Sequence, residues 1–128
     1  MAKYVVTGAT GFLGANLVRA LLGQGHQVEC IIRKPNKLVE GLSVGLHVVP
    51  LIDRPDVVEQ LATVMKDADG VFHLAGIFDP SPEGMIRMTQ VHIFGTRALL
   101  KGAELAGVAR FVHCSSSITV GFVASYPD

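Results

Sequence analysis

The stretch Lys3-Tyr4-Val5-Val6-Thr7-Gly8-Ala9-Thr10-Gly11-Phe12-Leu13-Gly14 constrains the fold of this chain more than any other. The apolar, β-branched run from Tyr4 to Val6 predicts a strand, and the residues from Phe12 onward carry the spacing of an amphipathic helix. Gly8 permits the dihedral angles of a sharp turn, Gly11 lets main chain approach a ligand with no Cβ in the way, and Gly14 lets the helix lie close to the strand. At the helix start the N–H groups of Phe12 and Leu13 have no partner within the helix, carry partial positive charge and point at one spot. A diphosphate fits there. Glycines at this spacing also mark ordinary turns, but their place between a strand and a helix start favours a dinucleotide site.

The rest of the chain repeats the alternation. A first helix is predicted from Phe12 to Gly23 with Leu13, Leu17, Ala20 and Leu21 as its apolar face. Strand 2 follows over Gln27 to Ile32, strand 3 over His47 to Leu51, and a helix opened by Asp53-Arg54-Pro55-Asp56 runs through Val57, Val58, Leu61, Val64 and Met65. Strand 4 is Val71 to Leu74, ending at the small residues Ala75 and Gly76. Pro80 and Pro82 make Ile77 to Gly84 a loop. One long helix is then predicted over about Pro82 to Leu105, capped by Gly107, with Met85, Met88, Val91, Leu99, Leu100 and Ala103 as its apolar residues. Gly95 in its interior costs ~1 kcal/mol relative to alanine, which close packing or a ligand would explain. Strand 5 is Arg110 to Ser115, and 116 to 128 reads as irregular.

Strands alternating with crossovers long enough to hold helices imply an α/β fold, a doubly wound parallel sheet of five strands in the order 3-2-1-4-5. That order puts the carboxyl ends of strands 1, 2, 4 and 5 around one crevice. At 128 residues a single domain is expected, and the 49% apolar content with a mean hydropathy of +0.43 fits strands covered on both faces. Strand 5 would leave an apolar edge unpaired, so another chain, including a second copy of this one, is a candidate to cover it.

Eleven basic and eleven acidic residues cancel, leaving no broad charge footprint for nucleic acid or an anionic membrane. No run approaches eighteen apolar residues and no secretory signal precedes Tyr4, so a cytoplasmic protein with a small-molecule substrate is expected. Cys30 and Cys114 fall inside predicted strands and are read as reduced, buried thiols. His26, His47, His73 and His113 show no metal-ligand spacing, and no metal site is assigned.

Arg33-Lys34-Pro35-Asn36-Lys37 follows strand 2, about twenty residues after the glycine turn, where an acidic residue meets the 2′-hydroxyl of NAD and an arginine meets a 2′-phosphate. Arg33 favours NADP over NAD, since a guanidinium stacks on adenine and forks onto phosphate oxygens, with Lys34 or Lys37 as a second charge. The alternative is a solvated basic turn.

Together, Thr7 to Gly14, Asp69-Gly70-Val71-Phe72-His73-Leu74-Ala75-Gly76, Val91-His92-Ile93-Phe94-Gly95-Thr96-Arg97 and Phe111-Val112-His113-Cys114-Ser115-Ser116 resemble the extended short-chain dehydrogenase/reductase superfamily. The likeness runs over nearly the whole chain and is nearest to its dihydroflavonol-reductase-like and sugar epimerase/dehydratase branch. The resemblance implies a Rossmann domain, 1 to 128, whose cofactor contacts are Thr7, Gly8, Gly11, Phe12, Leu13, Gly14, Arg33, Lys37, Leu51, Ile52, Leu74, Ala75, Gly76, Cys114 and Ser115. It also implies that Ser116, counted back from Gly121, hydrogen-bonds the substrate oxygen, with Ser115 and Ser117 the alternatives if the register slips. Serines at a strand end otherwise serve as turn-formers and caps.

The family further implies a Tyr-x-x-x-Lys pair that exchanges a proton at the reacting oxygen while hydride moves at the nicotinamide. Neither Tyr4 nor Tyr126 has such a lysine. The chain therefore reads as the first part of a longer oxidoreductase or epimerase, binding cofactor at most by itself, or else as a dinucleotide sensor without catalysis. His92 stands where the family often has asparagine, and Leu51 where it usually has the aspartate that meets the adenine amine, with Asp53 a substitute only if the strand end is shifted.

Overall fold

A computed structural model describes residues 1–121. Its elements are β1 (Lys3–Thr7), α1 (Phe12–Gly23), β2 (Gln27–Ile32), the short α2 (Lys37–Glu40), β3 (Gly45–Val48), α3 (Pro55–Met65), β4 (Gly70–His73), α4 (Pro82–Thr89), a π-helical turn over Gln90–Gly95, α5 (Thr96–Leu105), β5 (Phe111–His113) and a 3₁₀ turn over Ser117–Val120. The strands form one parallel sheet in the order β3-β2-β1-β4-β5. This is the doubly wound Rossmann arrangement.

Successive strand residues feed opposite faces of the sheet. Val6, Val28, Cys30 and Ile32 pack with Val18 and Leu21 of α1 on one side. Val5, Ile31 and Val71 pack with Val57, Leu61 and Met65 of α3 and Leu99 of α5 on the other. In β2 the run Cys30-Ile31-Ile32 is buried throughout, which is why its end reads as continuously apolar.

Several expected boundaries shift. β3 ends at Val48 rather than Leu51, because the ladder with β2 closes at Ile32 opposite Val48 and β2 offers nothing further to pair. β4 ends at His73 rather than Leu74, and β5 ends at His113 rather than Ser115, since its register partner on β4 stops at His73. Cys114 consequently lies outside the strand and is exposed, while Cys30 is buried as expected. Burial raises the Cys30 thiol to about 11, with the Glu29 carboxylate adding to the effect, so it stays protonated.

The buried stripe of α1 is Gly14, Ala15, Val18 and Leu21, and Leu13 and Ala20 are exposed. Gly14 sets this rotation, because it sits against the carbonyl of Gly8. The long helix is two helices joined by the π turn, and only its α5 half is well buried. α2 was not legible as a helix; Asn36 begins it by accepting a hydrogen bond from Leu38 N–H at 2.9 Å. The 3₁₀ turn interrupts a segment expected to be irregular, and Tyr126 lies outside the described residues.

Candidate functional site

The glycine turn is built for close approach. Gly8 has a φ of +72°, and a Cβ there would come within 2.6 Å of the main chain of Leu74 and Ala75. A Cβ on Gly14 would overlap the Gly8 carbonyl oxygen, so β1, β4 and α1 meet with no room between them. Gly11 differs: its added Cβ would lie 3.4 Å from Gly8 O, an ordinary contact, so the protein itself does not require glycine there. Gly11 N–H bonds to Gly8 O at 3.1 Å and Ala15 N–H to Gly11 O at 2.9 Å. Among the described residues the N–H groups of Phe12 and Leu13 have no hydrogen-bond partner, and no side chain caps α1. Those amides leave positive potential at the mouth of the turn.

The turn opens on a cleft of about 360 Å³ at the carboxyl ends of β1 to β4, lined by Gly8 to Gly11, Ile31 to Arg33, Val49 to Ile52, Leu74 to Ile77, Gln90 and Val91. Of the residues singled out in the sequence, Gly8, Gly11, Arg33, Leu51, Ile52, Leu74, Ala75 and Gly76 lie on its wall. Phe12 and Leu13 stand beside it at the exposed start of α1. Thr7 and Gly14 are buried behind it. Lys37 is exposed on α2 and does not line the cleft, whereas Arg33 is exposed and does. Crevice walls expected from strand 5 come instead from the chain after β3, and Cys114, Ser115 and Ser116 lie outside the cleft.

Ser116 begins the 3₁₀ turn: its Oγ accepts from Ile118 N–H at 3.3 Å, and its carbonyl accepts from Thr119 N–H and Oγ1. The capping role of serines at a strand end is thus present here.

Sequence reasoning missed what holds the β4 end of the cleft. Ala75 N–H donates to Thr7 Oγ1 at 3.2 Å, Thr7 Oγ1 lies 2.7 Å from His73 Nδ1, and His73 Nε2 lies 2.8 Å from Thr96 Oγ1. Neutral His73 donates through one ring nitrogen and accepts through the other, so its two threonine contacts run in one direction along the chain. This chain ties β1, β4 and α5 together behind Ala75. Burial lowers the pKa of His73 to about 4, helped by His113 and His92 nearby, so the ring is neutral. The signal was a histidine and a threonine at strand ends and a threonine at the start of α5, which spacing alone does not connect.

His92 takes a definite place: its Nε2 sits 2.9 Å from Ile77 O and 3.3 Å from Ile77 N, holding the chain after β4. Asp53 is engaged by Lys101 Nζ at 2.9 and 3.1 Å and so does not face the cleft as a base reader. Among the described residues no group of three metal-ligating side chains gathers, and no helix is long and apolar enough to cross a membrane.

The profile of the NAD dependent epimerase/dehydratase family matches residues 4–128. The chain is 39% identical over 119 residues to sterol demethylase protein B of Methylococcus capsulatus, covering 91% of this chain and 35% of that protein. It is 36% identical over 121 residues to a putative dihydroflavonol 4-reductase of Synechocystis, covering 92% and 34%. Among solved structures, UDP-glucose-4-epimerase from Stenotrophomonas maltophila with bound NAD superposes with a TM-score of 0.82 at 26% identity, over 100% of this chain and 41% of that one. The chain therefore spans about a third of the length of the curated relatives it matches.

Proposed function

Because the chain belongs to the NAD-dependent epimerase/dehydratase family, we propose that it is the cofactor-binding part of an NADP-dependent oxidoreductase acting on a carbonyl or secondary alcohol. The observation that carries this is the pair of unpartnered amides at Phe12 and Leu13, set beside Gly11, whose own backbone surroundings do not require glycine. They receive the diphosphate. The 2′-phosphate lies on Arg33 at the rim, the adenine lies between Ile31-Ile32 and Val49 to Ile52, and Ala75 and Gly76 flank the ribose near the nicotinamide.

Bound nicotinamide would supply or accept the hydride. The chain's own residues bind and orient it: α1 through its amides, and Ala75 through the Thr7–His73–Thr96 chain. Ser116 holds the substrate oxygen with its hydroxyl proton, while its Oγ goes on accepting from Ile118 N–H. The names of the relatives, sterol demethylase and dihydroflavonol 4-reductase, support a ring-bearing alcohol or ketone as substrate. Arg33 supports NADP, while the UDP-glucose-4-epimerase neighbour holds NAD.

Fluorescence titration with NADPH and NADH tests the assignment. NADPH is expected to bind at least roughly tenfold more tightly, a difference of about 1.4 kcal/mol, and Arg33→Ala to abolish the preference. Equal affinities in the unaltered protein would remove the 2′-phosphate from Arg33.

A further inference from the structure

The wall of the cleft opposite the glycine turn is not held by the sheet. β3 stops at Val48, and beyond it only Val49 N–H still reaches β2, at Ile32 O, 3.2 Å. Val49 to Ile52 must nevertheless keep their place for the cleft to have a second side.

They are held from behind. A Cβ on Gly95 would lie 3.0 Å from Leu51 Cβ and 3.1 Å from Leu51 O, so the loop seats against the bare main chain of the π turn. Arg54 N–H closes a turn on Ile52 O at 3.0 Å with Asp53 between them. The Asp53 side chain is only 15% exposed, both of its oxygens accept from Lys101 Nζ, and Arg97 Nη1 stands at 3.7 Å. Arg97 lies 5.4 Å from the ring of Phe94, which fixes its direction. Arg54, the other nearby cation, is paired with Asp56 and does not compete.

We propose that Asp53 is a positioning residue for nucleotide binding: anchored to Lys101 and Arg97 of α5, it holds Leu51 and Ile52 as the adenine wall of the cleft. The proposal rests on the nucleotide site described above. An aspartate beside the cleft invites a direct role with the base, but its oxygens are committed to Lys101. The tether acts on the adenine end alone, because the glycine turn is fixed by β1, β4 and α1.

Binding of AMP and of inorganic pyrophosphate to the chain, its Asp53→Asn and Lys101→Met variants and the double variant separates the roles. AMP needs the wall; pyrophosphate needs only the turn. Each single substitution is expected to weaken AMP roughly tenfold, and the double variant no further, the non-additivity of two residues acting as one contact. Pyrophosphate affinity stays unchanged. A loss in Asp53→Asn that Lys101→Met does not share would make Asp53 a direct base contact and overturn the proposal. Equal losses for pyrophosphate would reduce it to general stability. If the unaltered chain bound pyrophosphate and AMP with no response to either substitution, the tether alone would fall; if it bound neither, the nucleotide site would fall with it.

Discussion

Gly8, Gly11 and Gly14 are glycine for three different reasons, and alanine at each tells them apart. Gly8→Ala puts a Cβ at φ +72° and 2.6 Å from the Leu74-Ala75 main chain, and Gly14→Ala forces α1 off the Gly8 carbonyl. Both are expected to destabilise the fold by about 3 kcal/mol in chemical denaturation. Gly11→Ala has room, so stability is expected to move by less than about 0.5 kcal/mol while NADPH affinity falls by on the order of tenfold. His73 gives a second test. Unfolded, its ring takes a proton near 6.5; folded, burial refuses it until about 4. The unfolded chain therefore binds more protons in that window, and stability is lost as pH falls from 6.5 to 4, by up to about 3 kcal/mol. Denaturation at pH 7 and pH 5 should show a smaller drop in His73→Asn than in the unaltered protein; equal drops would mean that His73 is not the group responsible. At this scale the glycine turn was legible because a strand followed at once by a helix needs such a backbone, and the place of Arg33 on the cleft wall because it directly follows strand 2. Ala9, Thr10, Gln90 and Val91 were not, since they line the cleft through their place in the fold rather than through a spacing that marks a site. Lys37 is drawn into α2 by the Asn36 cap, which no charge pattern announces.

Among the elements, the five strands, α1 and α3 were readable in their order, with the bounds of α1 and β2 as expected; α2, the break in the long helix and the ends of β3, β4 and β5 were not. Strand termini depend on where the neighbour's ladder stops, as at Val48 against Ile32 and His113 against His73, and that is a property of two segments together. The π turn is the clearest case. Periodicity from Pro82 to Leu105 predicts one helix, and the only sign of a break was Gly95 inside it. In three dimensions the glycine is where the helix and the β3–α3 loop touch. Gly95→Ala should push Leu51 outward, costing about 1 to 2 kcal/mol of stability by overpacking. Because Leu51 lines the cleft, NADPH affinity should fall as well. A variant of unaltered stability with normal binding would show that the contact is slack. Gly102 makes a similar close approach to Leu61 on α3, but far from the cleft, so alanine there should cost stability without changing affinity for the cofactor.

At the scale of the molecule, the strand order places β1 at the centre, with β2-β3 on one side and β4-β5 on the other, so the cleft forms where the connections diverge. The continuous apolar strands and long crossovers made that topology readable, because few arrangements bury such strands on both faces. What the sequence could not convey was how far the cleft reaches: it spans β3 to β4 and leaves Ser116 of the expected site outside it. The proposed cofactor binding depends on main-chain amides at the start of α1 receiving a dinucleotide diphosphate. The most direct measurement is an amide-resolved NMR titration with NADP. Saturable shifts at Gly11, Phe12 and Leu13, accompanied by Arg33, Leu51 and Ala75 at the same midpoint, are the predicted result. Saturation with those three amides unmoved, or no saturation at millimolar cofactor, would contradict it.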